Sequence, residues 1–407
     1  GAAASSGGSC NITITPAVHH LELTAPSNTA LTCQPITYTV KACSNADCSS
    51  TYTGGLSGTL SVAGVTVSYP SGSGFTIPNG SATTTITAHA TTTGTATASL
   101  TGLSITPSNT PQVFCGMGVA AASGGSCAIT MVASSLLFDV PDHHAETSQT
   151  VTVSAVRSSD NSLACTPAFA SVSKNVTFRC TYSNPTSGFV PVRVAGAALN
   201  AGNNASAVCD GAGRAVSLAF NASGVATTTV QYADAGQVGL TATYTGSGDD
   251  AGLTMTGSDS FIAAPAGFSF SGVTAGPIKA GAAFGATVTA VNSSGVKTSN
   301  FGRETSPASA TLSFTKRQPT GVNSQSGSFT GSLGAFNNGE ASASNLVWSE
   351  VGNADLSATS SNYLGSGQSI SGSTGGGPAG AVGPFVPDHF TVTVDQSCTA
   401  GTPDFTY

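Results

Sequence analysis

Leu136-Leu137-Phe138-Asp139-Val140-Pro141-Asp142-His143-His144 runs through a short polar step into Val151-Thr152-Val153-Ser154-Ala155-Val156-Arg157. An apolar strand end meets a proline-bearing corner and restarts as a strand whose apolar residues recur every second position, the period of a half-buried β-strand. Two other stretches repeat the pattern, Ala17-Val18-His19-His20-Leu21-Glu22-Leu23 and Phe385-Val386-Pro387-Asp388-His389-Phe390-Thr391-Val392. Of the six histidines in the chain, all but His89 fall in these three copies. Each copy reads as the entry to a β domain.

A second repeat counts the domains. Pro78-Asn79-Gly80, Ala222-Ser223-Gly224 and Asn337-Asn338-Gly339 are turns, and each is followed 12 to 14 residues later by another glycine, Gly94, Gly236 and Gly352. An alternating strand follows each second glycine. Strand, turn, strand, turn, strand is the late-hairpin signature of an immunoglobulin-like sandwich. The fold class expected is therefore all-β, with tandem immunoglobulin-like β-sandwich domains cross-linked by disulfides. The expected division is a flexible join over 1–16, domains at 17–113, 114–264 and 265–384, and the first strand of a truncated fourth domain at 385–407. The stretch 200–212 reads as a loop insertion, and the glycine-rich stretch 372–383 as a linker or long loop at the end of the third domain.

Composition agrees with this class and excludes others. In 407 residues only 7% are charged, and Gly, Ser, Thr and Ala dominate, which suits strands and turns better than surface helices. The net charge of −7 comes with no run of Lys or Arg, so neither nucleic acid nor an anionic membrane surface is an expected partner. No apolar run approaches the roughly 20 residues of a membrane span, so no membrane insertion is expected of this segment. Gly1 to Ser9 and the mid-strand end at Tyr407 read as the borders of a slice of a longer exported protein.

Ten cysteines point to disulfides and an oxidising compartment. Short spacings favour Cys43 with Cys48, Cys115 with Cys127 and Cys165 with Cys180, and Cys10 is in reach of Cys33. Cys209 and Cys398 are left without an assignable mate. Metal ligands are offered by His19 and His20, by Asp142, His143 and His144, and by Asp388 and His389, although neighbours on a strand face opposite ways and a structural corner is the stronger reading. Asp160, Asp249, Asp250 and Asp259 offer oxygens for calcium, but no EF-hand loop is present. No cofactor is expected, and no nucleophile elbow, zinc-protease helix or phosphate loop occurs, so the chain reads as non-enzymatic. For ligand contact, Tyr52, Tyr69 and Tyr363 lie near turn-rich segments, whereas Trp348 has the register of a core residue.

Several stretches occur in an order that resembles a known family. They are Cys33-Gln34-Pro35 with Lys41-Ala42-Cys43 and Cys48, Phe138-Asp139-Val140-Pro141-Asp142-His143, Cys165-Thr166-Pro167-Ala168-Phe169, Tyr232-Ala233-Asp234-Ala235-Gly236, Gly257-Ser258-Asp259-Ser260-Phe261, Asn300-Phe301-Gly302-Arg303-Glu304, and Pro387-Asp388-His389-Phe390. From Ala17 onward the chain resembles the large C-terminal region of MshQ-type proteins of mannose-sensitive haemagglutinin type IV pilus systems in Gram-negative bacteria. That resemblance implies an extracellular protein of the bacterial cell surface or pilus, acting as a tip adhesin or its stalk. Expected partners are other pilus or surface proteins, further copies of the chain, or a host or abiotic surface ligand. The alternative is a structural filament subunit or spacer associating through strand edges.

Overall fold

A computed structural model describes residues 17–159, 162–375, 377 and 380–393. It consists of three immunoglobulin-like β-sandwiches in tandem, each made of two facing sheets. In the first, one sheet has the order Val67–Ser68, Thr83–Ala90, Ile36–Cys43, His20–Ala25, Val113–Met117. Its mate runs Thr29–Leu31, Ala128–Val132, Gly94–Thr101, Leu56–Ala63, Gly74–Ile77. Alternation explains the core: Ile36, Tyr38, Val40 and Ala42 are buried while Thr37 is exposed, so one face of the strand meets Leu60, Ile86 and Ile129.

The second sandwich sets Ser134–Leu137, Gln149–Ser159, Val225–Gln231, Arg193–Val194 and Ala197–Ala198 against His143–His144, Thr254–Ala264, Gly236–Thr245, Val172–Asn184 and Arg214–Phe220. The third sets Gly267–Ser271, Ala283–Val291, Glu340–Trp348 and Phe329–Thr330 against Ile278–Lys279, Val382–Val386, Gly352–Ser360 and Thr311–Gln318. Trp348, 1% exposed, lies in the third core with Phe284, Leu346, Leu356 and Phe385.

The repeated glycines occupy equivalent places. Gly80, Gly224 and Gly339 take φ of 89°, 74° and 78°, and Gly94, Gly236 and Gly352 take 136°, 134° and 124°. Only glycine enters these regions without strain. At Gly236 an added Cβ would press on the carbonyl of Asn184, and at Gly352 on that of Gln318. The period in the sequence is thus the footprint of one hairpin built three times.

The sheets move two expected borders. Val113–Met117 lies in parallel against His20–Ala25, and Ala128–Val132 pairs with Thr29–Leu31 and Gly94–Thr101. The first sandwich therefore continues to Val132 rather than closing at 113. The Leu136–Arg157 stretch lies wholly inside the second sandwich, with Leu136, Val140, Val151 and Val153 in one core. Val382–Val386 pairs with Gly352–Ser360 and Ile278–Lys279, so Phe385 and Val386 finish the third sandwich instead of opening a fourth. Ile370–Ser373 and Val382–Val386 both pair with Gly352–Ser360, so the glycine-rich stretch connects two strands of the third sandwich rather than two domains.

Disulfides join Cys43 to Cys48, Cys115 to Cys127, Cys33 to Cys165 and Cys180 to Cys209. The expected Cys165–Cys180 and Cys10–Cys33 pairings are corrected. Cys180 is 2% exposed and points into the second core, where the 200–212 loop brings Cys209 to it. Cys165 sits on a different sheet of the same sandwich and faces the first sandwich, which supplies Cys33. Cys10 and Cys398 lie outside the described residues. Among the described residues no helix is long and apolar enough to cross a membrane.

Candidate functional site

Only Ala133 separates the last strand of the first sandwich from the first strand of the second. One residue leaves the backbone a single short pivot. A second tether removes that freedom: the hairpin of Gln149–Ser159 and Ser162–Pro167 carries Cys165 to Cys33, with Cα atoms 5.0 Å apart. In the angle between the two sandwiches lies a cleft of about 720 Å³. Pro35, Ile36 and Phe138 give it apolar wall, Gln34, Thr241 and Ser258 give it hydrogen-bonding groups, and among the described residues no charged side chain lines it.

Two further motifs meet inside the second sandwich. After the Pro141 corner the chain pairs in parallel with Thr254–Ala264, matching His143 to Ala263 and His144 to Ala264. Asp259 Oδ2 accepts the Val140 amide at 2.6 Å, and Asp142 Oδ1 accepts the Ile262 amide at 2.6 Å. The imidazole of His143 stacks on Phe261 with ring centres 5.2 Å apart and bonds the Pro141 carbonyl through Nδ1 at 2.7 Å. Burial holds the pKa of His143 below its ordinary value and raises that of Asp259.

The junction of the second and third sandwiches gathers a cluster of buried polar side chains. Tyr232, Asp234, Asn300, Glu304 and Tyr363 are all at most 4% exposed. Asn300 is the hub. Its amide donates to Asp234 Oδ1 at 3.0 Å, and its Nδ2 donates to Tyr232 Oη at 3.1 Å and to the Ala235 carbonyl at 3.0 Å. Glu304 Oε1 accepts from Tyr363 Oη at 2.6 Å, while its Oε2 accepts the amides of Gly302 and Ala308 at 2.8 and 3.0 Å. Arg303 stacks over Phe189 at 4.6 Å and reaches Ser187 and Asn300. Two bonds to backbone carbonyls complete the clasp, from the Ser293 amide to Ala145 at 3.0 Å and from the Asn292 side-chain Nδ2 to Ala233 at 2.9 Å. Ala235 and Ala264 of the second sandwich pack into the core of the third, against residues such as Phe268 and Phe301.

Burial is the leading influence on the ionisable groups of this junction. It pushes the Asp234 carboxyl up to about 6, against the amides of Asn300 and Ala235 and the nearby Arg303, which favour the anion. Tyr232 and Tyr363 are both raised far above the usual phenol range, Tyr363 by burial first and then by the facing Glu304 carboxylate.

Of the residues singled out for ligand or metal contact, some are bonded into the scaffold and others stay at the surface. Tyr363 is 2% exposed and bonded to Glu304, so it cannot meet a surface ligand, which corrects that expectation. Tyr52 and Tyr69 are half-buried at the edge of the first core, and Tyr69 Oη accepts the Val62 amide at 3.0 Å. Asp142, His143 and His144 do not converge: each bonds a different backbone group, His144 Nδ1 that of Pro265 at 3.1 Å. Asp388 and His389 are exposed, 3.2 Å apart, with Lys279 2.7 Å from the carboxylate. Among the described residues, His20, Glu22, Cys43 and Cys48 gather most like metal ligands, but the two sulfurs are bonded to each other. Of the calcium candidates, Asp250 pairs with Lys174 and accepts from Tyr244 Oη at 2.5 Å, and Asp160 lies outside the described residues.

The roles of Asp234, Asn300 and Glu304 were not readable in advance. Their stretches stood out in the chain, yet nothing in the order of residues pairs 232–236 with 300–304.

Family models match three parts of the chain: a domain of unknown function (DUF8613) over residues 18–108, the first immunoglobulin-like domain of DUF6701 over 112–258, and the third domain of DUF6701 over 350–407. No curated protein sequence matches. Among solved structures the chain is similar to the D0-D1 domain of intimin, at 16% identity and a TM-score of 0.26, covering 60% of this chain and 98% of that one. It is similar to FdeC, an Escherichia coli adhesin, at 16% identity and a TM-score of 0.27, covering 84% and 92%. Invasin, a bacterial integrin-binding protein, aligns at 13% identity and a TM-score of 0.25, covering 86% of this chain and 59% of that one. Superpositions this loose bear on neither ligand nor partner.

Proposed function

We propose that this chain is a non-enzymatic, load-bearing element of the bacterial surface, the stalk of an adhesin in a type IV pilus system. One observation carries the reading. The stretches that stand out in the sequence are used to join β elements: Cys33-Gln34-Pro35 to the Cys165 hairpin, Phe138–His143 to Gly257–Phe261, and Tyr232–Gly236 to Asn300–Glu304. A protein that binds ligand directly keeps its distinctive polar groups free and convergent. Here His143, Asp259, Asp234, Asn300 and Glu304 are tied up in joints while Gln34 and Asp142 stay exposed, and a set mostly spent on joining suits a part whose task is to hold its shape. The pilus assignment rests on the order of those same stretches, and the four disulfides among the described residues fit an oxidising compartment outside the cytoplasm.

The direct test is immunogold labelling of native filaments with an antibody against this chain. Label at or near filament ends supports a stalk beneath a tip adhesin, whereas label along the shaft makes the chain a structural subunit. Cells with no label on filaments would remove the pilus assignment and leave a surface spacer. One feature favours that second reading, association through strand edges: among the described residues Arg214–Phe220 borders its sheet and pairs with Val172–Asn184 alone.

A further inference from the structure

We propose that the joint between the second and third sandwiches is an acid-tightened clasp, in which a proton taken up by Asp234 holds the two sandwiches more firmly together. The claim stands on placement and is independent of where on the cell the protein sits. Asp234 lies in the turn between two strands of the second sandwich, Val225–Gln231 and Gly236–Thr245, and is 4% exposed. Oδ1 accepts the amide of Ala235 at 2.8 Å and, across the joint, the amide of Asn300 at 3.0 Å. Both bonds survive protonation, because a neutral carboxyl keeps a carbonyl acceptor.

The surroundings decide the sign. From the third sandwich the Arg303 guanidinium favours the charged form, and the Glu304 carboxylate opposes it. Tyr363 also feels the Asp234 charge from that side, as Tyr182 and Tyr232 do from the second sandwich. None of these phenols ionises near neutrality, since burial raises all three. Desolvation outweighs the favourable contacts and lifts the carboxyl to about 6 in the docked state, against an ordinary value of 3.8 when the joint opens to water. A folded-state value raised above the open one means stabilisation complete below about 4 and lost as pH rises through about 6. Linkage then makes the opening constant of the joint roughly tenfold smaller at pH 5 than at pH 7.5.

Hydrogen exchange on the oxidised full chain reads this locally. Protection factors for the Asn300 and Ala235 amides, corrected for intrinsic rates, should rise roughly tenfold from pH 7.5 to pH 5. In D234N, which keeps an acceptor oxygen but cannot titrate, that rise should vanish. Buried His20 and His143 titrate with the opposite sign, so the difference between wild type and D234N is the decisive quantity. Equal pH dependence in the two proteins overturns the clasp. A second reading does not need the variant to fold: with Asp carboxyl carbons labelled, the Asp234 resonance should titrate with a midpoint near 6. A midpoint at or below 4 also overturns it.

Discussion

Tyr363 is the residue whose place in the fold departs most from its place in the chain. Beside a run of Ser, Asn and Gly it reads as a surface aromatic, yet its ring stacks on Phe301 at 5.7 Å and its hydroxyl donates to Glu304 Oε1. Removing that hydroxyl in Tyr363→Phe leaves Glu304 Oε1 buried without a donor, at a cost of about 1–3 kcal/mol. Trp348, the single tryptophan, lies in the same sandwich, so denaturant unfolding followed by its fluorescence measures that loss directly. A change below about 0.5 kcal/mol would mean that water reaches the carboxylate. His143 makes the complementary case. Its buried imidazole stays neutral below its ordinary pKa of 6.5, so it supports the fold above pH 6.5 and withdraws that support as pH falls. In His143→Phe, which retains a ring against Phe261, the second sandwich should lose part of its acid sensitivity between pH 7 and pH 5 in thermal melts. An unchanged pH profile would put the sensitivity elsewhere.

At the level of strands and corners, the paired carboxylates Asp142 and Asp259 explain why the Val140-Pro141-Asp142-His143 corner is built as it is. A chain leaving one sheet for the other strands backbone amides at the crossing, and buried amides need acceptors. Asp259 takes the amide before the proline, and Asp142 takes an amide from the receiving strand. Asp259→Ala should destabilise the second sandwich by about 1–3 kcal/mol in urea unfolding, and Asp142→Ala, whose bond is exposed to water, by less than about 1 kcal/mol. The double variant should lose less than the sum, because either change loosens the same strand pairing. Strict additivity would show two independent caps. The alternation that made the strands legible is local chemistry, but the crossing is not, since 119 residues separate Val140 from Asp259.

Across the three sandwiches, two differently made joints tie neighbours together. The first is covalent. Cys33–Cys165 spans 132 residues of sequence and acts beside the one-residue pivot at Ala133. With Cys33 and Cys165 both changed to Ser, each sandwich keeps its own core, and the angle between the first two should spread. Spin labels placed on exposed positions of each should give a narrow distance distribution in the parent and a markedly broader one in the variant. Equal widths would assign the rigidity to the cleft walls instead. The second joint is a buried polar network whose members are nearly all satisfied. Such a network specifies one geometry and loses its value quickly when one member is removed. Asn300→Ala therefore should free the third sandwich to move while its Trp348 fluorescence stays native.

Fold class was legible because period-two burial and left-handed turn glycines are short-range demands that each stretch of chain must meet alone. Three hairpins of one design, the buried register of Trp348 and the short-range bridge between Cys43 and Cys48 all belong to that kind of information. Borders and partners were not legible. Val113–Met117 and Ala128–Val132 could continue one sandwich or open the next, and only hydrogen-bonded pairing with distant strands settles it. The same holds for Cys165 with Cys33 and for Asp234 with Asn300, because proximity across 132 and 66 residues is created by packing and leaves no local trace.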